Sequence, residues 1–175
     1  MTADLWAAIP DAIEKLNAEE AVMLAERSRE ILDLGGSVTL HFVASGSKVL
    51  QIAPYSFADW SDICFKIGKH GNSVLISFLR STPGVLQTIT RGRPSEAANN
   101  IAHMLTQIGL LAEIDAESAL AAFRSSSDAL AKVSVKQFES WVAEGIDDHV
   151  DSTAKARKSY FALETRESAE KLRRS

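Results

Sequence analysis

The stretch Ser37-Val38-Thr39-Leu40-His41-Phe42-Val43-Ala44-Ser45-Gly46-Ser47-Lys48-Val49-Leu50-Gln51-Ile52-Ala53 decides the fold. Read alone, it predicts a β-hairpin, because it is rich in β-branched residues and Ser45-Gly46-Ser47 has the composition of a turn. A second reading comes from further along the chain. Ser37-Val38-x-x-x-Phe42-x-x-Ser45-x-x-x-Val49-Leu50-Gln51 recurs, without a gap, as Ser73-Val74-x-x-x-Phe78-x-x-Ser81-x-x-x-Val85-Leu86-Gln87, an offset of 36 residues. Self-similarity at such a period is the mark of repeat architecture.

Two looser copies follow. One holds Ser118, Phe123, Ser126 and Leu130; the other centres on Phe161, preceded by Thr153 and Ala154. The anchor phenylalanines are therefore Phe42, Phe78, Phe123 and Phe161, spaced by 36, 45 and 38 residues. The entrance Phe57-x-x-Trp60 has a counterpart in Phe138-x-x-Trp141. The fourth copy, residues 154–172, is rich in Ala, Lys, Arg, Glu and Leu and so is strongly helix-prone. If the copies share one structure, the ambiguous first copy is helical too. The expected fold is all-α: about four degenerate helical repeats, stacked as a short α-solenoid or an irregular bundle. Each unit is expected to be a longer helix, a second helix ending at the phenylalanine, and a short third helix. The expected core aromatics are Phe42, Trp60, Phe78, Phe123, Trp141, Tyr160 and Phe161.

Helix punctuation agrees. Asn17 with Glu20 reads as a capping box ahead of the stripe Ala21, Leu24, Ala25, Ser28, Ile31, Leu32. Ser56 with Asp59 opens a segment carrying Phe57, Trp60, Cys64 and Ile67. Pro94 suits the first turn of a helix running to about Ala112, and Asp115 is a cap for the segment through Phe123. Ser134 with Gln137 opens the clearest stripe: Phe138, Trp141, Val142, Gly145, Ile146, His149, Val150.

Composition narrows the function. The chain has 175 residues, 46% of them apolar, enough for a sizeable core. Its net charge of −4, with no long basic run, argues against nucleic acid. Charge is uneven: residues 1–34, 35–110, 111–150 and 151–175 carry −5, +3, −5 and +3. Such blocks are either ordinary solvated faces or an acidic and a basic face that orient a partner. Cys64 is the single cysteine, so no disulfide forms within the chain and a reducing compartment fits. No apolar run nears the roughly 20 residues that cross a bilayer, and the N-terminus lacks a signal peptide's basic start. A cytoplasmic protein without a membrane span is expected.

Motifs of chemistry are lacking. His41, His70, His103 and His149 stand apart from one another and from other metal-ligand types, so no metal site is expected. Cys64 falls in an apolar stripe and reads as buried and inert. Gly68-Lys69-His70 and Gly46-Ser47-Lys48 lack the upstream glycine of a phosphate-binding loop. Asp147 and Asp148 are adjacent, so around a helix their carboxylates diverge. The basic tail Lys155, Arg157, Lys158, Arg166, Lys171, Arg173, Arg174 interleaves with Tyr160 and Phe161, but helical spacing assigns those aromatics to a core face. No catalytic residue and no cofactor are expected. For partner contact, the basic turn Arg91-Gly92-Arg93-Pro94 singles out Arg91 and Arg93.

The last forty or so residues carry a resemblance. Trp141-Val-Ala-Glu-Gly145, then Tyr160-Phe161-Ala-Leu163-Glu164-Thr-Arg-Glu-Ser168, then Leu172, resembles the end of the helical region of NorD/CbbO-type proteins. There, a pattern close to W-x-x-x-G, Y-F-x-L-E-S-x-x-S and L closes a run of helical repeats, and a von Willebrand factor A domain follows. The match is dense over residues 138–172 and only repeat-like over 20–135. Thr165 stands where the family has serine, and the D-x-S-x-S metal motif is absent. The resemblance implies an adaptor that docks on a MoxR-type AAA+ ATPase. Together they activate or remodel a client enzyme, Rubisco in one branch and nitric oxide reductase in another. It also implies that residues 1–175 form one helical-repeat domain, the N-terminal part of a longer protein whose remainder meets the client. The alternative is a free-standing helical regulator unrelated to any ATPase.

Overall fold

The computed structural model describes residues 9–130 apart from positions 12 and 93, and all regular structure among them is helical. From Ala18 onward the helices are α1 (Ala18–Ile31), α2 (Gly36–Ile52), α3 (Phe57–Gly68), α4 (Asn72–Gly92), α5 (Ala97–Ile114) and α6 (Ala116–Leu130). Short 3-10 turns, Leu32–Leu34 and Pro54–Ser56, lead into α2 and α3. The chain packs as two compact units, Met1–Gly84 and Val85–Ser175.

The ambiguous stretch is one unbroken helix, α2. Its β-branched residues have only a modest helix penalty, and packing outweighs it. Val38, Leu40, Phe42, Val49 and Leu50 are all buried, so α2 is covered on several sides. Gly46 lies in mid-helix and is no turn residue. A Cβ there would stand 2.7 Å from Leu24 Cδ1, 3.2 Å from Phe57 Cε2 and 3.3 Å from Trp60 Cζ3. Its missing side chain is what lets α2 come close to α1 and α3.

Both gap-free copies of the motif fall in the same helical register. Ser37 and Ser73 are each the second residue of their helix, and Phe42 and Phe78 each lie six residues beyond its first. The joint before each helix is shared as well: Gly35 (φ 106°) and Gly71 (φ 137°) hold the left-handed conformation that glycine adopts without strain. The carbonyls of Gly35 and Gly71 accept the first helical bonds, from the Thr39 and Leu75 amides. The preceding helices obey the same offset, since Leu24 and Trp60, and Ile31 and Ile67, are buried pairs 36 residues apart.

The expected shape of the unit needs correcting. Neither α2 nor α4 ends at its phenylalanine, and among the described residues the short third element is at most the 3-10 turn Pro54–Ser56 that follows α2. Val38, Phe42, Ser45 and Val49 stand at i, i+4, i+7 and i+11, an uninterrupted stripe, and nothing at Phe42 stops the helix. The units visible are helix–joint–helix pairs: α1 with α2, and α3 with α4. The pair α5–α6 keeps the plan with a different joint. There the Asp115 carboxylate accepts from the Glu117 amide (3.2 Å) and the Ser118 hydroxyl (2.7 Å). Phe123 is fully buried within α6. The fourth copy, with Trp141, Tyr160 and Phe161, lies outside the described residues, as does the stripe from Phe138 to Val150.

In the first unit the core centres on three aromatics. Phe42 stacks on Trp60 with centroids 5.0 Å apart, and Phe57 sits 5.6 Å from Trp60 and 6.4 Å from Phe42. The second unit packs α5 along α6. Alanines 116, 119 and 122 of α6 are buried, as are Ile101, Met104, Leu105 and Ile108 of α5. Two capping expectations shift slightly. The Ser56 hydroxyl donates to the Ala53 carbonyl (2.7 Å) and does not cap α3, and Pro94 sits in the turn ahead of α5.

One contact repairs a defect. Pro83 lies inside α4 and has no N–H to give to the carbonyl of Leu79, four residues back. The hydroxyl of buried Ser45, from α2, donates to that carbonyl at 2.8 Å. The equivalent Ser126 bonds its own helix instead, to the Ala122 carbonyl. Ser45→Ala is therefore expected to cost about 1–3 kcal/mol, the penalty of a dry, unpaired carbonyl. Adding Pro83→Ala restores the local donor, so the double variant should recover much of that loss in urea titrations. Simple additivity of the two changes would refute this account.

Candidate protein-interaction surface

The helices of the first unit differ in charge. No Asp or Glu occurs in α2 or in α4. The helical acids sit on α1 (Glu19, Glu20, Glu26, Glu30) and α3 (Asp59, Asp62), with Asp33 in the 3-10 turn between α1 and α2 and Asp11 and Glu14 ahead of α1. Side chains also link the helices in these sets. Arg27 of α1 pairs with Asp62 of α3 (3.1 Å) and with Glu30 (3.0 Å), and its guanidinium lies 5.8 Å from the centroid of the Phe65 ring of α3. On the other side Ser45 of α2 reaches the Leu79 carbonyl, and His41 of α2 meets Arg80 of α4. An α1/α3 layer thus holds six acids, and an α2/α4 layer has none.

The His41–Arg80 contact is the most unusual feature of the acid-free layer. Arg80 Nη2 lies 3.2 Å from His41 Nε2. A guanidinium only donates, so Nε2 must be the bare acceptor nitrogen and the ring proton must sit on Nδ1. His41 is only 8% exposed, and its pKa is lowered from the ordinary 6.5, first by burial and then by the Arg80 charge. Protonating His41 would break the bond and set two cations together. The sign of the stability effect follows. Below about pH 6.5 the unfolded chain binds this proton before the folded one does, so stability falls with falling pH until the folded value is passed. His41→Gln is expected to flatten that part of the pH profile, measurable as the urea midpoint across the acidic range.

Lys48 lies seven residues beyond His41 and so on the same face of α2. Among the described residues neither Lys48 nor Arg80 meets a carboxylate within ion-pair distance. Arg91 is exposed in the last turn of α4, and Arg93 lies outside the described residues. Motif reading passes over Arg80 and weighs His41 and Lys48 only as a metal ligand and a phosphate-loop residue. The available signal was the lack of acids across 36–52 and 72–92, which averaging over residues 35–110 conceals.

Other candidates are plain. Cys64 is fully buried, and burial pushes its thiol well above its ordinary value. His70 is exposed and His103 half-buried. Among the described residues no three His, Cys, Asp or Glu side chains gather as a metal site, and no helix is long and apolar enough to cross a membrane. A depression of about 440 Å³, with Glu26, Arg29 and Glu30 of α1 in its lining, is open to solvent, unlike an enclosed small-molecule pocket. Large apolar side chains reach solvent at Val22, Leu32, Tyr55, Leu110 and Ile114. No protein-family model, no curated protein and no solved structure matches the chain.

Proposed function

We propose that the chain is a non-catalytic adaptor that docks on a MoxR-type AAA+ ATPase and helps it activate or remodel a client enzyme of the Rubisco or nitric oxide reductase type. The observation that carries the adaptor reading is the sorting of charge by helix layer in the first unit. Helix pairs that bury Phe42, Phe57 and Trp60 between them present a stiff surface, so docking loses little conformational entropy. An acid-free face beside an acidic one gives that surface a direction in an electrostatic encounter. The ATPase is named from residues 141–172, whose pattern resembles the NorD/CbbO helical region. The client would be met by the rest of a longer protein.

The test is a titration of the purified chain into a purified MoxR-type ATPase, with binding and ATP turnover both recorded at several salt concentrations. Binding that weakens with salt, together with altered turnover, is the expected result. A silent titration at saturating concentration removes the ATPase and leaves a free-standing helical regulator as the better reading.

A further inference from the structure

We propose that the α2/α4 face of the first unit, around Lys48 and Arg80, receives a carboxylate-bearing segment of a partner protein, and that His41 makes this contact tighten as pH falls. The inference rests on the adaptor reading and names the chemistry of its partner.

Charge complementarity carries the choice of occupant. Across α2 and α4 there is no acid, and neither Lys48 nor Arg80 has a carboxylate beside it among the described residues. Arg80 is exposed, yet its guanidinium is held in place by the bond to His41, a residue packed into the face. That bond uses one terminal nitrogen and leaves N–H groups of the same fork free for an incoming carboxylate, for which guanidinium geometry is well suited. A basic partner segment finds no counter-charge on either helix. The acidic layer, by contrast, already spends Asp62 and Glu30 on Arg27.

The proton linkage follows from what acts on the imidazole. Beyond burial, Arg80 is the charge that opposes protonation of His41. On α2 the next cation of that face is Lys48, two turns along, and neither α2 nor α4 offers a carboxylate. A docked carboxylate offsets the Arg80 charge and so weakens the repulsion that opposes a proton on His41. The bound state then holds a proton that the free state does not, so binding and proton uptake reinforce each other. Partner glutamates stay ionised throughout the range in which histidine titrates, so the dependence belongs to the protein.

The probe is a peptide of about six glutamates, titrated into the full chain and followed by NMR at the His41 ring and at the Lys48 and Arg80 amides, at about pH 6 and about pH 8. A peptide of lysines of the same length serves as control. Shifts at these three residues, roughly five-fold tighter binding at the lower pH and no response to the lysine peptide are expected. Arg80→Gln and Lys48→Gln, both at exposed positions, should each weaken binding several-fold. His41→Gln should keep binding but lose its pH dependence. The proposal is overturned if the glutamate peptide perturbs other surfaces only, if the lysine peptide competes, or if His41→Gln keeps the full pH dependence. No ATPase is present in this assay, so its failure is separable from failure of the docking partner. ATPase binding untouched by Arg80→Gln and Lys48→Gln sinks this surface alone, and glutamate binding beside a silent ATPase sinks only the ATPase.

Discussion

Truncating Trp60 to alanine is expected to destabilise the first unit by about 3–5 kcal/mol, the range for removing a large, fully buried aromatic. The side chain has no exposure at all. It packs against both Phe42 and Phe57, and its Nε1–H donates to the Thr82 hydroxyl at 3.1 Å. Thr82 in turn donates to the Phe78 carbonyl at 3.0 Å, so the indole connects α3 to the backbone of α4. For a unit at the lower end of the typical range of about 5–15 kcal/mol, this loss brings it close to its unfolding midpoint. Trp60→Phe keeps ring packing and loses the hydrogen bond, so it should cost clearly less than the alanine. Urea titration of both variants provides the check. An alanine variant within about 1 kcal/mol of the parent would mean that the ring is not the centre of this core.

Gly46→Val is expected to be comparably damaging, about 3 kcal/mol or more, by overpacking. A glycine in mid-helix normally gains about 1 kcal/mol when replaced by alanine. Here the sign should reverse even for alanine. The new Cβ meets Leu24 Cδ1 at 2.7 Å and the Phe57 and Trp60 rings at 3.2 and 3.3 Å, and all three side chains are buried. Valine adds two further carbons to the same space. A control is Gly84→Ala, at an exposed helical position where a Cβ meets nothing within 4 Å, and this change should stabilise or be neutral. Melting temperatures of the three variants test the contrast. Equal effects at Gly46 and Gly84 would show that backbone propensity, not space, governs both sites.

Much of the architecture was legible because its signals are local or periodic. The Asn17–Glu20 box forms as read: the Asn17 side chain accepts from the Glu20 amide at 2.9 Å, and the Glu20 carboxylate accepts from the Asn17 amide at 3.0 Å. Asp115 likewise serves α6. The 36-residue recurrence overrode the hairpin composition of residues 37–53, and the helix is there. What stayed hidden depends on neighbours distant in sequence. Gly46 reads as a turn residue until Leu24, Phe57 and Trp60 are placed around it. The helix ends were misjudged because a buried phenylalanine marks a face, not a terminus. The His41–Arg80 contact joins residues 39 apart, and no motif announces it. Arg91 and Arg93 drew attention as a basic turn, whereas Arg91 belongs to the last turn of α4.

The hydroxyl that Ser45 lends across to the Leu79 carbonyl has a mechanical meaning. Two smooth helices can slip along each other by one turn, about 5.4 Å, and still mate ridge to groove. After such a slip this pair would strand a desolvated oxygen on one side and an idle donor on the other. The bond therefore works as a detent, fixing how far α4 is drawn along α2 and, with it, where Arg80 stands beside His41.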